Sequence, residues 1–332
     1  MTGETIGSGS GDDNDDTLGG AGEFVVIDRL VAGRTQADAV TLGPGDDAAV
    51  VTVADGRAVV STDMLIQDRH FRLDWSTPHD IGRKAIAQNA ADIEAMGGRS
   101  TAFVVAFGAP SETSVSASAE LADGLWDEAR RLGASIAGGD LVSAPLWVIS
   151  VTVLGDLGGR EPVCRSGAQP GDTVAVVGEL GCSAAGYALL LGGVAGSPNL
   201  RQRELRQRHL TPQPPYGQGA RAAEAGATSM TDVSDGLLAD LGHIAAASGV
   251  GIDVDRGFLE GDRQVVAEAA AAVDADPWEW VLGGGEDHAL AATFPGAVPP
   301  GWRAIGRVLE GPAAVLVDGA PWAGRAGWQS FD

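Results

Sequence analysis

The sequence predicts a mixed α/β or α+β chain organised in two domains. Three observations carry that prediction. The chain has 332 residues, more than the roughly 100–200 of an ordinary single domain. Short apolar runs of strand length alternate with helical stripes along most of it. A stretch rich in Gly and Pro, residues 159–171, interrupts the alternation, which then starts again.

Taken in order, residues 1–20 hold almost nothing to bury and read as a disordered acidic tail. The first domain is set at 21–160. It opens with a helix from Glu23, where Phe24, Ile27, Leu30 and Val31 recur at helical spacing. Gly43-Pro44-Gly45 then leads into Asp46, Asp47 and an apolar strand. A second strand opens at Val59-Val60 and ends at Ser61-Thr62-Asp63. Ala54-Asp55-Gly56-Arg57 suits a hairpin turn between them, which would bring Asp47 and Asp63 together. Residues 78–96 form one long helix with Ile81, Ala85, Ile86, Asn89, Ile93 and Met96 on a stripe. A strand over 101–107, a helix over 114–132, a short strand into a Gly138-Gly139-Asp140 turn and a strand over 147–154 complete this domain.

The second domain, 161–332, begins with a strand over 173–177 and a helix over 181–191. Residues 212–225 are proline-rich and then turn helical. Thr231-Asp232-Val233-Ser234-Asp235-Gly236 follows as an extended run, a glycine turn and a helix through Ile244. Strands over 250–254, 289–294, 304–308 and 314–317 and a helix over 265–273 close the chain.

Composition narrows the function. The formal net charge is −23, which argues against nucleic acid and anionic membranes, since phosphate binding needs clustered Lys and Arg. No apolar run approaches the roughly 20 residues that cross a bilayer. Two cysteines, Cys164 and Cys182, make neither a disulfide framework nor a zinc site and suit a reducing cytoplasm. Lys84 is the only lysine and there is no G-x-x-x-x-G-K-[ST] run, so a P-loop is excluded.

What recurs instead is carboxylates beside Ser, Thr and Gly: Asp46-Asp47, Ser61-Thr62-Asp63, Asn89 with Asp92, Gly139-Asp140, Asp232 to Asp235 and Glu286-Asp287. Helix capping by Ser234 or Asp235 would explain one of them. Asn89 and Asp92 share a helix face that is mostly apolar, where unpaired polar groups are costly. Such a set suits a hard cation: Mg²⁺ takes oxygen ligands, typically a few carboxylates plus substrate phosphates. Glycine turns let backbone N–H groups approach a phosphate. Several Mg²⁺ ions would also let so acidic a chain bind an acidic ligand. The loop of an EF-hand is absent.

In order, the chain carries GDDAAV (45–50), STDM (61–64), HF (70–71), NAAD (89–92), AMGG (95–98), GGD (138–140), CRSGAQPGD (164–172), DVSDGLLADLGHI (232–244), GGGEDHAL (283–290) and GW (327–328). In these motifs it resembles the thiamine-monophosphate kinase family, within the superfamily of aminoimidazole ribonucleotide synthetase. The resemblance implies a two-domain fold, an N-terminal sheet or barrel domain and a C-terminal α/β domain, with two chains joined through their N-terminal halves. It implies ATP-dependent phosphorylation of thiamine monophosphate to thiamine diphosphate. Asp47, Ser61, Thr62, Asp63, Asp92, Asp140, Asp232 and Asp235 match magnesium ligands, of which Asp92, Asp140 and Asp235 are assigned to catalysis. Gly139, Asp140, Arg165 and Ser234 match ATP contacts. His70, Glu286 and Trp328 match substrate contacts. Each has a plainer alternative: a structural histidine, a solvated turn and a hydrophobic lid.

The chain departs from the family at His288, where many relatives have an aromatic residue, and at Thr231, before Asp232. Both bear on the shape of the substrate pocket. No cysteine stands where a selenophosphate synthetase or a hydrogenase-maturation relative would need one. The alternatives left are another ATP-using member acting on a different acceptor, closest to aminoimidazole ribonucleotide synthetase, and a non-catalytic nucleotide or metal sensor.

Overall fold

The protein is described from a computed structural model over residues 17–44, 48–192 and 198–328. The first half runs α1 (Leu18–Ala21), α2 (Glu23–Val31), β1 (Val40–Leu42), β2 (Val50–Val51), β3 (Val59–Ile66), α3 (Pro78–Ala95), β4 (Arg99–Ala109), α4 (Val115–Arg131), β5 (Ser135–Ser143) and β6 (Val148–Asp156). The second runs β7 (Thr173–Val177), α5 (Cys182–Gly192), α6 (Leu200–Leu210), α7 (Gln218–Glu224), β8 (Ser229–Val233), α8 (Leu237–Ser248), β9 (Gly251–Val254), a 3₁₀ turn (Arg256–Leu259), α9 (Glu260–Ala272), α10 (Pro277–Gly283), β10 (Ala289–Phe294), β11 (Arg303–Leu309), β12 (Ala314–Val317) and β13 (Ala320–Pro321).

Each half is built on its own sheet. Four strands in the order β3-β6-β4-β5 form the first, and seven in the order β13-β12-β9-β11-β7-β10-β8 the second. The first is an open sheet, so of the sheet-or-barrel expectation a single chain forms the sheet. Helices α3 and α4 cover its inner face. In the second sheet, alternate residues of β7 feed two cores: Val174 and Val176 pack with α5 and α8, while Ala175 and Val177 join Ala95, Ala222 and Trp302 on the opposite face.

Helix α3 lies between the two sheets. Thr77 caps it, accepting from the Asp80 N–H, and Pro78 occupies the first turn, where its missing N–H costs nothing. It packs on β3, β4 and β6 on one side and on β8, β10 and α7 on the other. Twelve of its 18 residues are buried, the all-round burial of a core helix. Ile81, Ile86 and Ile93 are fully buried, worth about 1.5–3 kcal/mol each. Its buried polar residues all find partners. Asn89 accepts from the Asp63 N–H, and Glu94 accepts from Gly217 and Gly219 N–H at the start of α7. The halves also meet where Tyr216 donates to Glu128 of α4 at 2.8 Å.

Five expectations need correction. Thr17 to Gly20, assigned to the tail, start the fold: Thr17 caps α1 and Leu18 is buried. The predicted hairpin does not form. Two-residue β2 pairs with β1, and β3 is fully paired with β6 from Val59↔Gly155 to Ile66↔Val148. Strand β3 therefore continues past Asp63. Gly139 and Asp140 lie inside β5, which runs parallel to β4; a Cβ on Gly139 would sit 2.0 Å from the Val105 carbonyl oxygen, so close strand contact itself demands glycine there. Helix α6 was missed because LRQRELRQRHL has no apolar stripe; an Asn199–Gln202 capping box and buried Leu205 hold it against α5. Finally, neither Ser234 nor Asp235 caps α8. Gly236 occupies the cap at φ 131°, and Asp240 accepts from the Asp235 and Gly236 N–H groups at 3.1 and 3.0 Å.

Candidate active site

The predicted residues gather mainly at the seam between the halves. Period-two alternation of β3 points Ser61 and Asp63 toward α3, and Thr62 away from it. On the α3 side Ser61 Oγ donates to Asp92 Oδ2 at 2.6 Å. Gln88 reaches the Asp63 carboxylate at 3.4 Å. From the other half, β8 carries Asp232, which is buried and takes the His288 ring at 3.2 Å. Two residues on, the chain turns through Ser234 and Asp235, whose carbonyls accept from Glu286 N–H and Trp328 N–H, both at 2.8 Å.

The electrostatics of this seam are those of crowded acids. Burial, then the charges of Asp232 and Asp63, push the Asp92 carboxyl up to about 7, against the Ser61 hydrogen bond. Burial also raises Asp235, with Asp232 adding to it and His243 and Arg165 opposing. Asp240 is pushed up to about 7 by burial and by Asp232. Burial alone would lower His288, but its bond to Asp232 and the charges of Asp232, Glu286 and Asp92 raise it. The residue that departs from the family pattern thus stands bonded to Asp232 among the acids. Hydroxyl and carboxylate oxygens that repel one another in this way fit hard divalent ions, whose binding would relieve the repulsion. Asp235, Asp240 and His243 also place ligand atoms within 4.8 Å of one another.

A second group adjoins the first. His70 is half-buried and accepts from the Ile66 N–H at Nδ1, and burial lowers its ring below the ordinary histidine range. Its carbonyl accepts from Lys84 Nζ at 2.9 Å. The same ammonium lies 3.2 Å from Glu286 Oε1. Glu286 has the left-handed φ of 62°. Although burial raises its carboxyl, Lys84 and His209 carry it down to about 2. Trp328 is half-exposed, with the Arg325 guanidinium 5.1 Å from its ring centre.

Four assigned residues stand elsewhere, and one lies outside the described residues. Thr62 faces the open side of the first sheet, donating to the Val151 carbonyl at 3.0 Å. Asp140 is exposed in edge strand β5, in register with exposed Ala106, so it faces the same open side; Gly139 precedes it. Arg165 is exposed in the segment joining the halves, close enough to Asp235 to lower its carboxyl. Asp47 is not among the described residues. Sequence reasoning missed Lys84, Asp240 and His209. The available signals were a lone lysine on a helix stripe otherwise fit for burial and an acid five residues after Asp235.

The AIR synthase related protein N-terminal and C-terminal domain families match residues 45–157 and 169–293. A thiamine-monophosphate kinase of Mycobacterium tuberculosis is 66% identical over 315 residues, covering 95% of this chain and 93% of that protein. One of Corynebacterium glutamicum is 45% identical, with 95% of each covered. Among solved structures, the thiamine-monophosphate kinase of Stenotrophomonas maltophilia superposes with a TM-score of 0.75 at 33% identity, covering 90% of this chain and 95% of that one. AaThiL complexed with AMPPCP and TMP gives a TM-score of 0.76 at 30% identity over 93% and 97%. Hydrogenase maturation proteins share the fold, at 18–19% identity. With two thirds of its residues in common with a relative over nearly both full lengths, the chain belongs to the thiamine-monophosphate kinase family.

Proposed function

We infer that this chain transfers the terminal phosphoryl group of ATP to the phosphate of thiamine monophosphate, giving thiamine diphosphate and ADP as the last step of thiamine diphosphate biosynthesis. The observation that carries the reading is the seam where Ser61, Asp63 and Asp92 of one half face Asp232 and Asp235 of the other. It offers oxygen ligands from both halves of the chain. The acceptor is a phosphate oxygen that is largely ionised at neutral pH and needs little help from a general base. In direct in-line transfer that oxygen bonds to the γ-phosphorus as the bond to the β–γ bridging oxygen breaks, with no phosphoenzyme.

Magnesium ions held by Ser61, Asp63, Asp92, Asp232 and Asp235, with Asp47, Thr62 and Asp140, would offset the repulsion between the two anions. The chain's own groups do the rest. Ser234, Gly139 and Arg165 receive the nucleotide. His70 and Glu286 orient thiamine monophosphate, and the exposed Trp328 ring offers a face to its cationic heterocycle. We assign 21–160 to metal, nucleotide and dimer contacts and 161–332 to further ATP and substrate contacts. The homodimer reading is supported by the open face of the first sheet, where Val60, Met64, Val104 and Val142 are 37–59% exposed. No helix among the described residues is long and apolar enough to cross a membrane, and we assign the enzyme to the cytoplasm.

The test is ADP formation from ATP and Mg²⁺ with and without thiamine monophosphate, with the product identified. Thiamine diphosphate formed in equal amount to ADP, and only when thiamine monophosphate is present, is the expected result. Nucleotide binding without that turnover would move the acceptor to another substrate.

A further inference from the structure

The chain's only lysine is spent in its interior. Lys84 leaves α3 in its second turn and is 2% exposed. A buried ammonium is expensive unless fully paired. Its partners are two residues from opposite halves: the His70 carbonyl at 2.9 Å and the Glu286 carboxylate at 3.2 Å. Glu286 also lies 3.3 Å from the ring of His209 of α6, which meets Ser183 Oγ at 3.0 Å. His70 and Glu286 are the residues assigned to the acceptor, one from each half. A single ammonium therefore sets the distance between them and the direction of the Glu286 carboxylate.

We propose that Lys84 is a positioning residue for the acceptor pocket: it ties His70 to Glu286 across the domain seam and so sets the affinity for thiamine monophosphate without touching the nucleotide. The inference rests on the kinase reading above. A surface lysine could not do this, because screening and side-chain entropy leave exposed pairs worth little. Arginine is not equivalent either. Its planar fork is longer and cannot place one donor on a carbonyl and another on a carboxylate in the same compact geometry.

The test uses the whole chain in five forms: wild type, Lys84→Met, Lys84→Arg, Glu286→Gln and the Lys84→Met/Glu286→Gln double variant. Lys84→Met should raise KM for thiamine monophosphate about ten- to a hundredfold, as expected when one partner of a buried pair is removed, and leave KM for ATP unchanged. Lys84→Arg should restore only part of the loss. If Lys84 acts through Glu286, the double variant is no worse than Glu286→Gln alone. Losses that add, or an equal rise in both KM values, would overturn the proposal.

A second measurement needs no variant. Protein labelled with ¹⁵N at the lysine side chain has one such signal, because there is one lysine. Thiamine monophosphate should shift it, and AMPPCP with Mg²⁺ alone should not. A signal indifferent to thiamine monophosphate overturns the proposal even if Lys84→Met fails to fold. The two readings separate cleanly. Wild type that forms no thiamine diphosphate overturns the kinase reading and this inference together. Active wild type with an unchanged KM in Lys84→Met overturns the inference alone.

Discussion

Neighbouring residues of one strand lead to two different chemical settings. Ser61 and Asp63 turn into the seam, where Asp92 and Asp232 meet them. Thr62, between them, turns to the open face that it shares with Asp140. In the seam Asp92 and Asp232 are bonded to Ser61 and His288, and the Asp92 carboxyl is raised. The open face carries the same kinds of ligand beside exposed Val60 and Met64, and only something docking on the sheet can enclose it. The contrast teaches that one half of the proposed ligand set is brought together by folding alone, while the other lies on an open sheet face.

The largest effect should come from the preorganised side. Asp92→Asn keeps the shape and the Ser61 contact but removes a charge. It should lower kcat/KM by roughly 10²–10³, the scale of losing one preorganised electrostatic contact in a transition state. Asp235→Asn should do the same. Stability should move the other way. The folded carboxyl of Asp92 lies at about 7, above its unfolded value of about 3.9. Its contribution is therefore present below the unfolded value and lost as pH rises through about 7. Metal-free Asp92→Asn should then melt higher than wild type at pH 8, with added Mg²⁺ narrowing the gap. A lower melting temperature together with normal turnover would remove Asp92 from the site.

The dependent side is broken from outside. Met64→Asp or Val60→Asp puts a charge on the open face. In a symmetric pair the change counts in both copies, each side chain worth about 1.5–3 kcal/mol of burial. Sedimentation velocity should show dimers becoming monomers at micromolar concentration, and turnover should fall with them. Monomers with full turnover would mean that Thr62 and Asp140 need no partner chain.

Two buried histidines give a smaller, pH-readable version of the same comparison. His288, among acids, is raised, while His209 is lowered to about 4, mainly by burial and then by Lys84, with Glu286 opposing. A depressed histidine stabilises the fold above its unfolded value of about 6.5 and loses that contribution as pH falls toward 4, a change of about 3 kcal/mol. Urea unfolding of wild type should weaken over that window, and His209→Gln should flatten the decline. An identical slope in both proteins would mean that His209 titrates normally in the fold.

Much of this was legible in the sequence because local chemistry wrote it. Strand, glycine turn and helix around Asp232 to Gly236 follow from short-range preferences, and helical spacing alone put Asn89 and Asp92 on one face. What was not legible depended on partners far along the chain. Lys84 meets Glu286 across 202 residues, so periodicity shows a charge on a buried stripe but not what neutralises it. Thr62 was grouped with Ser61 and Asp63 by the family resemblance, with the strand ended at Asp63. Carrying it on to Ile66 would have separated the two faces. The hairpin turn at 54–57 was also real as a turn, with Arg57 bonded to Asp55, but β2 pairs with β1 and not with the outer edge of β3.

The smallest effect concerns Trp328, which belongs to neither side and closes the seam from the chain's end. Its backbone is pinned to the Asp235 carbonyl, yet its ring is 50% exposed. A lid on a hydrophobic core would be buried. A ring left open beside Arg325 already serves one cation and can exchange it for another. Trp328→Ala should raise KM for thiamine monophosphate by a few fold, the roughly 0.5–1 kcal/mol of an exposed cation–π contact, with the melting temperature unchanged. A fall in melting temperature with KM intact would restore the lid and leave recognition of the heterocycle to His70 and Glu286, the pair that Lys84 joins.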